Sequence, residues 1–156
     1  MFRQMRRFKQ QMPEADCIDL LKKAPRGVLS LIGDGGYPYG IPVNFVYEDG
    51  AIYIHCAGEG HKIDAIKACD KASFCVLDEG KQLEGDWDWL FHSVICFGRI
   101  REIEDRDEVL IKVALLGDKY FKEEGHTERE IRRVGHKVHM LKLTVEHMTG
   151  KEVSEN

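Results

Sequence analysis

The sequence predicts a mainly β (α+β) fold, and three observations predict it. Asp49-Gly50 stands between two runs of strand-like residues, 37–48 and 51–57. A two-residue hairpin turn needs positive φ at both central positions, which Asp-Gly supplies. Further stretches read as compact or alternating strands: residues 27–32, 72–78, 91–104 and 138–148. Helical spacing of apolar residues is confined to the segments between them, around residues 13–23, 61–69, 105–121 and 127–134. At 156 residues the chain is the size of one domain and can bury a core without disulfides or metals. Residues 1–156 are therefore expected to form a single domain, with residues 1–12 as an N-terminal arm and 152–156 as a frayed tail.

Each element has its own reasons. The arm carries Arg3, Arg6, Arg7 and Lys9; it is either solvated or laid over a partner subunit. Pro13-Glu14-Ala15-Asp16 opens a helix with acidic residues early and Lys22 and Lys23 late, as the helix dipole favours, and Pro25 stops it. Residues 27–32 form an apolar strand, followed by Gly33-Asp34-Gly35-Gly36. That glycine run lies between two strands and precedes no helix, so it reads as a hairpin loop and not as a phosphate loop. After the central hairpin and its helix comes a buried strand at 72–78. The polar stretch 79–90 holds Trp87 and Trp89, either a plug in the local core or a contact surface. In the long strand 91–104, Gly98 marks a bulge or a close backbone approach. The helix at 105–121 places Leu110, Val113, Ala114, Gly117 and Phe121 on one face, and Thr127-Glu128-Arg129-Glu130 matches a capping box for a shorter helix.

Composition narrows the function. Lys plus Arg is 23 against 27 Asp plus Glu, a net charge of −4, which lacks the basic footprint of a nucleic-acid protein. No apolar run approaches the roughly 20 residues that span a bilayer, and the basic N-terminus has no apolar signal core, so a cytoplasmic protein is expected. The cysteines (Cys17, Cys56, Cys69, Cys75, Cys96) are odd in number and irregularly spaced, with no CxxC. Packing explains them better than a disulfide framework, with Cys56 the one candidate for redox chemistry. His136 and His139 lack a companion ligand at suitable spacing, so no metal is expected.

The central hairpin carries the chemistry. Centred on Asp49-Gly50, it pairs Glu48 with Ala51, Tyr47 with Ile52, Phe45 with Ile54 and Asn44 with His55. Val43, Phe45, Tyr47, Ile52, Ile54 and Cys56 then share a core face, and Pro42, Asn44, Val46, Tyr53, His55 and Ala57 share the other. The second face sets two hydrogen-bonding side chains among apolar neighbours, a surface suited to a flat, partly polar ligand. Gly58-Glu59-Gly60 allows positive φ and close backbone approach. His61-Lys62 then opens a helix, whose free N–H groups and partial positive charge, with Lys62 added, suit a phosphate. A plain hairpin with an exposed Asn and His accounts for the same residues equally well.

Residues 40–67 (GIPVNFVYEDGAIYIHCAGEGHKIDAIK), FHSVICFG at 91–98 and MTGK at 148–151 resemble the flavin-binding split-barrel proteins related to pyridoxamine 5′-phosphate oxidase, in particular their nitroimidazole-resistance (Nim-like) branch. The similarity runs from about Arg6 to Lys151. It implies a six-stranded antiparallel split β-barrel with flanking helices, a homodimer, and FMN in two equivalent clefts at the subunit interface. On that resemblance Lys62, with the N–H groups near Gly60 and His61, holds the phosphate. Pro42, Val43, Asn44, His55 and Ala57 contact the ring or ribityl chain, and Ser93 reaches the flavin of the other subunit. His55 matches the histidine on the reactive side of the flavin and is the candidate catalytic residue. The function implied is an FMN-dependent oxidoreductase acting on small electron acceptors such as nitro-compounds. The alternatives are a flavin storage or sensing protein without turnover, and an F420- or haem-handling relative. No clear pair of late arginines stands ready for a second phosphate, which argues against a pyridoxamine phosphate oxidase proper.

Overall fold

A computed structural model describes residues 1–85 and 87–154. In chain order the elements are α1 (Glu14–Lys23), β1 (Gly27–Ile32), β2 (Pro38–Val43), β3 (Val46–Glu48), β4 (Ala51–Cys56), α2 (His61–Ala68), β5 (Lys71–Leu77), β6 (Lys81–Gln82), β7 (Trp89–Glu102), α3 (Arg106–Tyr120), α4 (His126–Val134) and β8 (His139–Val153). One antiparallel sheet runs in the order β2-β1-β5-β7-β8-β4-β3, with β6 pairing to β7 beside that path.

The strand order forces the sheet to curl. β2 and β3 stand at opposite ends of the path, roughly 29 Å apart if the sheet were flat at about 4.8 Å per strand. Only Asn44 and Phe45 separate them in the chain, a step the backbone crosses in about 10 Å. The sheet must therefore close on itself, and no ladder joins β2 to β3 at the seam. The result is a split-barrel-like α+β fold.

Residues that alternate inward fill the barrel. Leu29, Phe45, Ile52, Ile54, Phe74, Val76, Val94, Ile100, Leu141 and Leu143 are almost wholly buried, each contributing roughly 1.5–3 kcal/mol from apolar burial. Cys17 and Leu21 of α1, and Ile63, Ala65 and Ile66 of α2, complete the same core. A second cluster lies outside the barrel. There Val109 and Leu116 of α3 cover Val46, Ala51, Tyr53 and Met140. The β7–β8 ladder shifts register between Phe97 and Gly98. A Cβ at Gly98 would stand 1.9 Å from the Thr144 carbonyl oxygen, so the glycine serves both a bulge and a close approach.

Among the described residues, no helix lies over the outer face of β1, β5 and β7. Val28, Ile32, Leu77, Ile95 and Phe97 are exposed there, and the rows connect: Pro42 beside Val28, Val28 beside Cys75, Cys75 beside Ile95. The N-terminal arm touches this face, where Phe2 stacks on Phe97 and His147 at centroid distances of 5.6 and 4.8 Å. The arm also joins the sheet edge through a bridge from Gln11 to Lys151.

Several expectations need correction. There are eight strands and not six, because the run 37–48 breaks at Asn44-Phe45 and β6 adds a short pair. β8 extends through Val153, with Glu152 and Val153 paired to His92 and Phe91, so the tail does not fray from residue 152; residues 155 and 156 lie outside the described residues. The α4 cap is Gly125 at φ 73°, and Thr127 is buried against Gly117 instead of capping. The inner face of α3 is Val109, Val113 and Leu116; of the expected stripe Val113 packs there as read, whereas Val109 and Leu116 replace Leu110 and Gly117, and Phe121 is exposed. Trp87 and Trp89 are exposed as well, which removes the core-plug reading.

Candidate functional site

The hairpin pairs Glu48 with Ala51 and Tyr47 with Ile52, but its ladder ends at Val46 opposite Tyr53. Asn44 and Phe45 step off into the seam, and β4 continues against β8, where His55 lies opposite Met140. The expected Asn44–His55 and Phe45–Ile54 cross-strand pairs therefore do not form. Asn44 and His55 meet in another way. Both line a cavity of about 370 Å³ between the hairpin and the α3–α4 pair, with Leu116, Tyr120, Ile131 and Val138 among its apolar walls.

The cavity and its surroundings set the protonation state of His55. Although the side chain keeps an open side, burial lowers the imidazole below its usual value, and the nearby charge of Lys62 lowers it further. His55 is thus a neutral imidazole at neutral pH, able to donate one hydrogen bond and accept another. Burial pushes the Cys56 thiol up to about 11. At neutral pH it is a protonated thiol, the less reactive form.

The glycine loop delivers Lys62 to this end of β4. Gly60 caps α2 with φ 116°, a conformation that L side chains rarely adopt, and a Cβ there would meet open space. Gly58 acts by size, since its Cβ would come within 2.7 Å of the His139 ring. The first N–H groups of α2 have no intrahelical acceptor. Lys62 is half-buried, and among the described residues it has neither a hydrogen bond nor a carboxylate partner. His61 turns away from that space. Its Nε2 accepts from the Asp34 N–H at 3.2 Å, and its ring stacks on Tyr39 at 4.2 Å, so its side chain fastens the Gly33–Gly36 turn.

Pro42 and Val43 end β2 beside Asn44, and Ala57 directly follows β4, so the hairpin residues and Lys62 gather around one end of the barrel. Ser93 does not join them within the chain. It pairs with Leu77 and Lys151, nine residues before Glu102, whose β8 partner Leu141 is the one opposite Ile54. That separation is roughly 30 Å along β7. Tyr120, His126 and Glu130 also line the cavity. Sequence reasoning missed them, because nothing in their spacing shows that α3 and α4 pack over the hairpin. Among the described residues no cluster of His, Cys, Asp or Glu is arranged to hold a metal ion.

A sequence profile of the pyridoxamine 5′-phosphate oxidase family matches residues 13–152. The chain belongs to that family. Among solved structures, this family member is similar to a candidate 5-nitroimidazole antibiotic resistance protein from Bacteroides thetaiotaomicron, at TM-score 0.82 and 21% identity over 92% of this chain and 87% of the other. It is similar to an FAD-binding protein from Mesorhizobium loti at TM-score 0.66 and 21% identity, over 92% and 96% of the two chains. An FAD- and haem-binding protein from Mycobacterium smegmatis is similar at TM-score 0.74 and 19% identity, over 94% and 74%. At these identities the likeness is one of fold. No curated protein sequence matches the chain.

Proposed function

We propose that this family member binds FMN and reduces small electron acceptors, nitro-compounds among them. The observation that carries the reading is Lys62, half-buried and without an acidic partner among the described residues, beside the free N–H groups at the start of α2 and on the same barrel end as His55. A phosphate is the group whose charge and acceptor atoms answer that arrangement. The space above Gly60 admits it, since among the described residues no atom beyond its chain neighbours lies within 4 Å of where a Cβ would stand.

FMN, when bound, supplies the redox chemistry. The chain's residues do the rest. Lys62 and the N–H groups of His61 and Lys62 hold the phosphate, while Pro42, Val43, Asn44 and Ala57 border the ring and ribityl chain. His55 holds a hydrogen bond at the ring edge and relays a proton to the reduced acceptor, its neutral ring donating from one nitrogen while the other accepts. The apolar walls of α3 and α4 exclude water from the acceptor's side.

The same reading makes the protein a homodimer through the uncovered face of β1, β5 and β7. That face carries an apolar row that starts at Pro42, and it carries Ser93 as well. A second copy packed there brings Ser93 of the partner subunit toward the first copy's hairpin, the approach that one chain cannot make alone.

The test is an absorption spectrum of the purified protein, followed by heat release and identification of any chromophore. Flavin bands and released FMN, with reoxidation by a nitroaromatic after reduction, support the proposal. A colourless protein that takes up no added FMN sinks it. Released FAD, a deazaflavin or a Soret band replaces the cofactor named here.

A further inference from the structure

The last turn of α3 reaches across to the β2–β3 seam. Phe45 lies outside both ladders, and its backbone groups are taken by the two residues that end α3. Its N–H donates to Tyr120 Oη at 3.0 Å, and its carbonyl accepts from Lys119 Nζ at 3.0 Å. Tyr120 Oη donates to the Pro25 carbonyl at 2.7 Å, and Lys119 Nζ to that of Ala24 at 2.7 Å. The seam is thereby tied to the connection between α1 and β1.

This clamp is costly. Lys119 Nζ stands 3.8 Å from the centroid of the Phe45 ring, and among the described residues no carboxylate pairs with it. Burial pulls its pKa down to about 8. A half-buried ammonium held only by carbonyls and a ring weakens a fold, and such exceptions gather at functional sites. Here the neighbouring residue is Asn44, which shares the cavity with His55 and with Tyr120 itself.

We propose that Lys119 and Tyr120 are positioning residues: by fixing the Phe45 backbone they aim Asn44 into the cavity. The effect on FMN affinity rests on the flavin reading above, whereas the clamp itself is testable on the protein without flavin.

Tyr120→Phe removes one hydroxyl and keeps the ring. Lys119→Met removes the ammonium, keeps the stem, and serves where the first variant fails to fold. Amide exchange at Phe45 and the 1H–15N signal of the Asn44 side chain are read on flavin-free protein, and the FMN dissociation constant is measured alongside. Phe45 is expected to exchange about tenfold faster, the Asn44 signal to move, and FMN to bind about tenfold more weakly. The double variant Asn44→Ala/Tyr120→Phe is expected to lose no more affinity than Asn44→Ala alone. An unmoved Asn44 signal, or a double variant whose loss is the product of the single losses, overturns the proposal. A wild-type protein that takes up no FMN overturns the flavin reading instead, and the Asn44 signal then decides the clamp by itself.

Discussion

Lys62 and His55 answer to each other, so one substitution reads out both. The charge of Lys62 helps depress the His55 imidazole. Lys62→Ala is therefore expected to raise the His55 pKa toward its ordinary value, followed by NMR titration of the flavin-free protein. The same change should weaken FMN binding about tenfold or more, as loss of a charged phosphate contact does. His55→Gln tests the other partner. Its side chain keeps an open side, so the melting temperature should hold while acceptor reduction falls on the order of a hundredfold; a parallel loss of stability would make His55 structural. Both residues stand out as candidates in the sequence, since a lysine after a glycine turn and a histidine on a hairpin carry their own chemistry. Tyr120 and His126 do not, because they become cavity walls only once two helices pack over the hairpin.

β7 depends on different chemistry near its start and in its interior. At its start His92 Nδ1 bonds Asp78 Oδ2 at 2.7 Å, its backbone N–H donates to Asp78 Oδ1 at 2.9 Å, and Nε2 lies 3.2 Å from Glu152. The hydrogen bond to Asp78 is the main cause that raises the imidazole above its usual value, with Glu152 adding to it. A group raised in this way contributes its full stability below its unfolded pKa of about 6.5. That contribution is lost as pH rises through the folded value. The melting temperature should accordingly decline as the buffer moves from pH 6 toward alkaline values, and His92→Gln should flatten the decline. Further along, Gly98→Ala would force a Cβ onto the Thr144 carbonyl, and a loss of about 3 kcal/mol in denaturant unfolding is expected. Gly98 was legible because glycine inside a strand pattern has few meanings. The strand break at Asn44-Phe45 was not, since an unbroken alternating run gives no sign that its two halves pair with different neighbours. The α4 cap was misread for a related reason: Thr127 matches a capping box locally, but the close approach to Gly117 claims it for packing.

For the whole molecule, the apolar face of β1, β5 and β7 is the proposed contact between two copies. Ile95 lies on the β7 side of it and is 40% exposed, so Ile95→Arg should leave the folded chain intact and put a charge into the proposed contact. Sedimentation should then show monomer, and flavin should be lost with the dimer; a monomer that keeps FMN would refute a shared site. That face was legible only in part, because alternation tells inside from outside but not which outside is covered by a helix. The seam has a kinetic meaning too. Its two strands are joined by two residues yet sit at opposite ends of the strand order, so the sheet is closed around the seam only once every ladder between them has formed. Such late structure is absent from the folding transition state, and changes at Phe45 should speed unfolding while leaving the folding rate nearly untouched. A molecule seated across the seam would then lengthen the lifetime of the folded chain without hastening its arrival.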